Sequence, residues 1–471
     1  MEEKKDMLGS APVSGLMLKF AIPSIIGMLV SALYNIVDQI FIGNAVGVSG
    51  NAATNIAFPF TTACMAVALL LGIGGASCFN LTMGRGDIRR AGYFAGNSIT
   101  MLIGSGVVIS VLTLLFLTPL LKAFGSNETV LPYAQEYVSI TALGFPFLIL
   151  TAGGGHIIRA DGSPQITMAC TLTGAIINTI LDALFVMGFH WGMKGAAAAT
   201  VVGQVVSAII VIHYMRRRFM TVPITSEHYK LQSATVKRIA SIGMASCFNQ
   251  LAIAIVQIVL NNSLKHYGAL SKYGDTDPLA CAGIVMKVNM IVFSIVIGLA
   301  QGTQPIESFN YGARKYDRVR QAYRLAVIAG AAISLVAFAV FQICPRAILS
   351  LFGKNGSENY FELGARFFRI FLFFTWINCL QPITSTFFTS IGKPIKGVFL
   401  SLTRQILFFI PFLLILPCFM GIDGIIYTGP IADALSAVVA ILMALYEFRV
   451  MKQLENEPEE VDYFAPRHFA R

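Results

Sequence analysis

Carboxylic acids that fall inside strongly apolar segments are the residues of this chain best suited to chemistry. Asp38 lies in the segment YNIVDQIFIG, and Asp182 lies in NTILDALFV. A charged side chain at the centre of a bilayer-spanning helix costs about 2.5–3.5 kcal/mol on insertion scales, so its presence indicates a function or a partner. Tyr34 precedes Asp38 by one helical turn, and Asn178 precedes Asp182 by the same spacing. Thr200 lies at a similar depth in the next apolar segment.

These five side chains suit the binding of a proton or a small cation. Two carboxylates held close together away from water resist ionising at the same time, so the pair can take up and release a proton near neutral pH. The same oxygens, with the amide of Asn178 and the hydroxyl of Thr200, also suit Na⁺ at Asp38 and Asp182. The alternative is a hydrogen-bonded cluster that only holds helices together. The prediction requires that the helices converge.

Other polar residues in apolar segments extend this list. Lys287 and Arg404 can reach the membrane interface, line an aqueous cavity or pair with an acid, and we treat them as further candidates for a cavity. Asp433 is a second candidate for an ion site or a cavity. Pro23 precedes Asp38 in the same segment and predicts a bend that acts as a conformational hinge.

The elements that must position these residues are membrane-spanning helices. Hydrophobic residues make up 56% of the 471 residues and charged residues 12%, with a mean hydropathy of +0.71. Soluble domains carry about 25% charged residues, so a bilayer must surround most of this chain. The apolar runs predict an all-α membrane protein with twelve helices, at 16–43, 53–83, 92–121, 131–158, 164–187, 195–215, 236–263, 279–310, 321–344, 359–388, 395–417 and 424–448.

The two halves of the chain repeat one another. Gly84 and Gly312 open related motifs 228 residues apart, and two further motif pairs are separated by 230 and 229 residues. Six helices per half give both halves the same topology, which predicts two pseudo-symmetric lobes. The predicted organisation is an N-terminus at 1–15, a first lobe at 16–215, a linker at 216–235, a second lobe at 236–450 and a tail at 451–471.

The distribution of basic residues predicts orientation and argues against other partners. The loops on the side of both termini hold a roughly fourfold excess of Lys and Arg, which places both termini in the cytoplasm. Because the net charge of +10 is dispersed in this way, we expect no nucleic-acid partner. The chain lacks HExxH, GxSxG and Walker A motifs, and its eight cysteines form no CxxC pair. We therefore predict neither an enzyme nor a cofactor.

Several longer segments together resemble one transporter family. They are AIPSIIGMLVSALYNIVDQIFIG, IIRADGSP, NTILDALFVMGFHWGMKGAAAAT and GLAQGTQPIESFNYGARKYDRV. They are similar to the multidrug and toxic compound extrusion (MATE) transporters over about residues 10–450. The resemblance implies two six-helix lobes around a central cleft, and export of organic cations in exchange for H⁺ or Na⁺. It also implies a multi-pass protein of a prokaryotic plasma membrane, which we expect to be a monomer.

The resemblance favours the MepA-like and DinF-like branch. The residues that match the cation site in the first lobe of those members are Tyr34, Asp38, Asn178, Asp182 and Thr200. The carboxylate that the NorM-like branch carries in the seventh span has no match here. By the repeat offsets, Asp182 corresponds to Phe412, so the second lobe lacks these groups.

The predicted function is therefore a cation-coupled antiporter that exports amphipathic organic cations and drugs by alternating access. The nearest alternative is a flippase for lipids or lipid-linked oligosaccharides from the same superfamily, which a cavity lined by several arginines would favour. An ion channel and an intramembrane enzyme are more distant alternatives. A bulk ion conductance would identify the first, and turnover of a covalent substrate would identify the second.

Overall fold

The first half of the chain forms six long helices. The structure, a computed structural model, describes residues 7–126, 128–274, 276–352 and 358–455. The six helices are α1 (Val13–Val46), α2 (Val48–Gly84), α3 (Ile88–Leu115), α4 (Leu131–Ala160), α5 (Pro164–Asp182) and α6 (Gly192–Arg217). Helix α5 continues through a π-helical turn at Ala183–Gly188.

The second half repeats this arrangement with two irregular helices. Its spans are α7 (Ser233–Ala269), α8 (Thr276–Gly312), α9 (Tyr316–Ile343), α10 (Glu358–Arg366 to Leu380–Ser390), α11 (Pro394–Leu402 to Ile410–Met420) and α12 (Ile422–Leu454). Helix α10 is bent by 47° between Tyr360–Phe371 and Thr375–Ser390. Helix α11 contains a π-helical turn at Thr403–Phe409. When the bent pair is taken as one span, twelve apolar helices of membrane-crossing length result in the described part of the chain.

Local sequence signals explain where these helices begin. Pro164 and Pro394 occupy the first turn of α5 and α11, where the missing N–H of proline removes no helical hydrogen bond. Asp87 caps α3 by accepting a hydrogen bond from the backbone nitrogen of Arg90 at 3.0 Å. Gly47 separates α1 from α2 with a φ of 76°, a left-handed conformation that glycine adopts without strain. The twelve predicted helices are confirmed, with ends that shift by several residues.

The two halves pack closely through glycines. Gly298 of α8 faces the backbone of α1, since a Cβ on this residue would lie 2.7 Å from the Cα of Ile25. Gly243 of α7 similarly abuts the backbone of Leu70 in α2. Gln304 of α8 also donates a hydrogen bond to the hydroxyl of Ser77 in α2 at 2.8 Å. These helix crossings lie toward one end of the molecule.

The first and last described residues of the chain lie near that end, which we call the termini face. Lys315 follows α8 and donates to the carbonyl of Gly9 at 2.9 Å, and Arg314 donates to the carbonyl of Leu454 at 3.1 Å. The predicted tail at 451–471 begins inside α12, which continues to Leu454. Residues 456–471 of this tail and residues 1–6 of the predicted N-terminus lie outside the described residues.

The segment between α6 and α7 is held against the first half. Asn97 of α3 donates to the carbonyls of His228 and Lys230, both at 2.9 Å, and accepts from the backbone nitrogen of Gln232 at 2.8 Å. Asp161, after α4, accepts from the backbone nitrogens of Met220 at 2.8 Å and Thr221 at 3.0 Å. The predicted linker at 216–235 is therefore an ordered segment packed on the first half, which we call the strap. Burial raises the pKa of the Asp161 carboxyl, which accepts hydrogen bonds from this segment.

Candidate functional site

The packing of α5 against α6 brings two of the predicted site residues into direct contact. Asn178 is 3% exposed, and its amide lies 3.3 Å from the hydroxyl of Thr200. When the amide nitrogen faces Asp182 instead, it donates to Oδ2 of Asp182 at 3.2 Å, and its oxygen accepts from the backbone nitrogen of Thr200 at 3.2 Å. Asn178 thus connects a carboxylate to a hydroxyl group.

Asp38 from α1 and Asp182 from α5 face each other at the end of the first half opposite the termini face. Their side chains are hydrogen-bonding neighbours, and Asp182 is fully buried. One carboxylate oxygen of each, Oδ1, is buried without a hydrogen-bond partner. Among the described residues, neither forms an ion pair with Lys, Arg or His. A buried acceptor without a partner is suited to receive a proton or a cation.

Two tyrosines complete this cluster. Tyr34 of α1 lies close enough to Asp38 and Asp182 to be influenced by both charges. Tyr137 of α4 is influenced by the same two carboxylates, and its hydroxyl contacts Thr200. All five residues that the sequence predicted as a cation site are therefore together in the fold. Tyr137 is a sixth member, which the sequence analysis did not identify.

The cluster lies beside a central cavity of about 330 Å³ that both halves line. Tyr34, Asn178 and Thr200 belong to the lining, whereas Asp38 and Asp182 lie behind them. Apolar side chains provide much of the remaining wall: Met28, Met65, Leu69, Ile73, Phe293 and Ile297. Polar groups from α7 and α10 face them, including Asn249 and Gln381. A cavity of this composition suits an amphipathic molecule.

A basic pair lines the same cavity near the end of α4. Arg159 is 6% exposed, and its Nη1 lies 3.2 Å from Nδ1 of His156. Both residues lie at the termini face, because α4 ends at Ala160. The predicted helix at 131–158 ends just before Arg159, so the sequence assigns this residue to a loop. Its place in a cavity wall depends on how α4 packs.

The remaining predicted residues occupy different environments. Pro23 lines the cavity inside α1, which is helical on both sides of it. Lys287 is exposed on α8 and is not among the residues that line the cavity. Arg404 donates from Nε to Oδ1 of Asp433 at 2.6 Å, so these two candidates pair with each other. Neither Arg404 nor Asp433 belongs to the described cavity lining.

Helical spacing could have found part of what the sequence analysis missed. Gln204 lies one turn after Thr200 on α6, lines the cavity and has a buried side-chain oxygen without a partner. Tyr137 and Arg159 have no comparable signal. Each lies on α4, and its relation to α1, α5 and α6 depends on the tertiary structure.

The chain matches a known protein family over most of its length. A profile of the family described as MatE matches residues 23–184 and 245–415. The chain is similar to the multidrug export protein MepA of Staphylococcus haemolyticus, with 25% identity over 433 residues that cover 92% of this chain and 93% of that protein. It is similar to MepA of Staphylococcus aureus, with 25% identity over 434 residues that cover 92% and 94%.

A solved structure has the same fold. The outward-facing conformation of a multidrug resistance MATE family transporter of the MOP superfamily superposes with a TM-score of 0.88. The sequences are 23% identical, and the match covers 95% of this chain and 98% of that chain. At this level of identity the similarity concerns the fold, and it confirms the predicted arrangement of two lobes of six helices.

Proposed function

Because this chain belongs to the MatE family of multidrug and toxic compound extrusion transporters, we propose that it is an antiporter that couples export of amphipathic organic cations and drugs to entry of H⁺ or Na⁺. The observation that carries the proposal is the contact between Asp38 and Asp182, whose described surroundings contain no basic partner. Two such carboxylates bind one proton or one cation readily and bind it less well when their spacing changes.

Na⁺ is compatible with the donor set as a transported ion. The carboxylates of Asp38 and Asp182, the amide oxygen of Asn178 and the hydroxyl of Thr200 provide only oxygen ligands, which hard cations prefer. The buried Oδ1 atoms of both aspartates lack partners and can accept either ion. The same atoms serve H⁺ and Na⁺, so the chemistry supports both and a transport measurement must separate them.

Coupling follows from differential affinity. An ion bound between α1 and α5 holds these helices together, and substrate in the cavity contacts the adjacent residues Tyr34, Asn178 and Thr200. A ligand shifts a conformational equilibrium only through unequal affinity for the two states. Alternating access would require contacts between the halves toward the termini face, such as that of Gln304 with Ser77, to separate. The ion would favour one state and the substrate the other.

The membrane orientation belongs to the same proposal. We assign the termini face to the cytoplasm because most basic loop residues lie there. The similar MepA proteins are bacterial, which supports a prokaryotic plasma membrane. The described cavity lining contains one arginine, whereas the flippase alternative was expected to show several. The antiporter is therefore favoured over the flippase.

Transport in proteoliposomes tests the proposal. Purified protein would be given separate H⁺ and Na⁺ gradients, and accumulation of a fluorescent organic cation would be followed. We expect one gradient to drive transport, and Asp38→Asn and Asp182→Asn each to abolish this dependence. The control is Asp317→Asn, because the Asp317 side chain is 90% exposed. Folded wild-type protein that transports no cation under either gradient would contradict the proposal and favour lipid flipping.

A further inference from the structure

The two ends of α4, which forms one wall of the cavity, lie in surroundings of opposite charge. Tyr137 lies beside the carboxylates of Asp38 and Asp182, near the start of this helix. Arg159 lies 22 residues later, which corresponds to about 33 Å along an α-helix. The first half of the molecule is thus acidic at one end of α4 and basic at the other. The basic end lines the cavity, whereas the two acids lie behind its wall.

Arg159 is a buried cation whose hydrogen bonds are incomplete. The residue is only 6% exposed, and the Nε of its guanidinium is buried without a hydrogen-bond partner. Among the described residues, its one side-chain contact is from Nη1 to Nδ1 of His156 at 3.2 Å. A buried donor without an acceptor costs free energy that a bound acceptor would recover. The geometry is therefore suited to a ligand that supplies oxygen atoms.

His156 holds the guanidinium in place without neutralising it. An arginine N–H can only donate, so Nδ1 of His156 accepts and the ring proton is on Nε2. The imidazole is then uncharged, and the positive charge of Arg159 remains. The backbone carbonyls at the end of α4 supply a partial negative charge that tolerates a cation. They do not provide a partner for Nε.

The nearest acid in the chain does not neutralise Arg159. Both oxygens of Asp161 are used elsewhere: Oδ2 accepts from the hydroxyl of Tyr214 at 2.6 Å and from the backbone of Met220 at 2.8 Å. Oδ1 accepts from the backbone nitrogen and the hydroxyl of Thr221. Asp161 is therefore committed to the strap between the two halves. Arg159 keeps its charge for the cavity.

The cavity wall contains no compensating acid. Among the described lining residues there is no Asp or Glu, and Arg159 is the one residue that is always charged. The lining therefore carries a formal positive charge. A purely cationic molecule would gain no ion pair from this wall. A molecule with an anionic group could make a forked, charge-assisted contact with the guanidinium.

We propose that Arg159 binds the carboxylate or phosphate group of an amphiphilic substrate, so that zwitterions and acids are substrates of this cavity as well as cations. This inference rests on the proposed transport function and specifies its substrate class. The apolar wall, which includes Met28 and Phe293, holds the body of such a molecule. Thr151 and Gln204 line the cavity with buried oxygens that lack partners, and they can receive hydrogen bonds from its polar groups.

A matched pair of dyes tests this assignment. A rhodamine methyl ester is a cation, and its free acid is a zwitterion of nearly the same shape. Fluorescence anisotropy would measure binding of both to the full-length protein in detergent. The wild-type protein should bind the free acid at least as tightly as the ester. Arg159→Gln should weaken binding of the acid by about ten- to hundredfold and should not weaken binding of the ester.

Two further variants separate recognition from folding. Arg159→Lys keeps the charge without the planar fork, so it should retain part of the preference for the acid. Lys265→Gln removes an exposed charge on α7 and should change the binding of neither dye. If Arg159→Gln does not fold, the preference for the acid over the ester can still be compared between the wild type and Arg159→Lys, and this comparison tests the proposal. Tighter binding of the ester than of the acid by the wild type overturns the proposal, as does equal weakening of both dyes in Arg159→Gln.

A competition arm distinguishes the source of the anionic group. Phosphatidic acid and phosphatidylcholine would be added separately to wild-type protein with bound free acid. Displacement by phosphatidic acid alone would support a lipid phosphate at Arg159, and no displacement would support a soluble acid. Failure of the acid to bind while the ester is still transported would overturn this inference and leave the proposed function standing. Absence of transport of both dyes would overturn both.

Discussion

In the first half of the molecule Asp38 and Asp182 face each other without a basic partner, whereas in the second half Asp433 lies 2.6 Å from Nε of Arg404. A π-helical turn adjoins each group, directly after Asp182 in α5 and around Arg404 in α11. One fold thus buries acids in two different ways. Unpaired carboxylates remain able to bind an ion, and paired carboxylates hold helices together.

Glu447 is another acid of the second half that follows the paired pattern. Glu447 of α12 is fully buried and contacts the ammonium groups of Lys393 and Lys396, the latter at 2.7 Å. Burial lowers the pKa of Lys393, which precedes α11, and the attraction of Glu447 opposes this change. Glu307 of α8 is an exception, because its buried carboxylate accepts from the hydroxyl of Ser390 at 2.6 Å and forms no ion pair with a described Lys, Arg or His. The contrast between the halves can be tested through stability and ion response.

The largest effect is expected at the pair in the second half. Asp433→Asn should lower the free energy of unfolding by about 3–5 kcal/mol, because it leaves Arg404 as a buried charge without its partner. Ion-gradient dependence of transport should persist in the folded fraction. Denaturation in detergent measures the loss. The double change Arg404→Leu and Asp433→Leu should recover much of it, and a double variant as unstable as Asp433→Asn would contradict the pairing argument.

A smaller loss is expected at the lysine contacts. Glu447→Gln should lower the free energy of unfolding by about 1–3 kcal/mol. The effect is smaller than at Asp433 because Lys393 and Lys396 are 24% and 35% exposed and can reach water. Thermal unfolding would measure it. Glu358→Gln is the control, since Glu358 forms an exposed pair with Arg346 and should change stability by less than about 0.5 kcal/mol.

In the first half, substitution of one acid of the pair should change the free energy of unfolding in the opposite direction. Asp182→Asn should raise the free energy of unfolding by about 1–2 kcal/mol at neutral pH, because it removes a buried charge that faces another acid. The gain should grow as the pH rises, since the wild-type pair must then lose its shared proton and carry two charges, whereas the variant retains only the single carboxyl of Asp38. Unfolding measured across pH tests this. A variant less stable than wild type at every pH would show that Asp182 is structural.

The smallest effect is expected at a neutral oxygen of the cluster. Thr200→Val should raise the ion concentration needed for half-maximal transport by about fivefold, which corresponds to loss of a hydrogen bond worth about 1 kcal/mol. Thr179→Val is the matched control, because among the described residues the hydroxyl of Thr179 bonds only to the carbonyl of Ala175 in its own helix, at 2.9 Å. Equal effects of the two changes would exclude Thr200 from the ion site.

Much of this arrangement could be predicted from the chain alone because the bilayer restricts the possibilities. Backbone groups in lipid must bond within their own segment, so long apolar runs predict helices directly. Repeated glycine motifs predicted two lobes, and the spacing of Asn178 and Asp182 placed them on one helix face. The depth of Thr200 from its loop then matched the depth of Asp182. These signals come from residues close together in the sequence, and the structure contains the features that they predicted.

The sequence by itself determined the membrane helices, their duplication and the selection of Asp38 and Asp182 as candidate ion-binding residues. Only the tertiary structure decided that Tyr137 joins those acids, that Asp433 is neutralised by Arg404, and that Arg159 keeps its charge in a cavity wall. The physical reason is that hydropathy and helical period report which residues share a face, while pairing between charges depends on which helices meet.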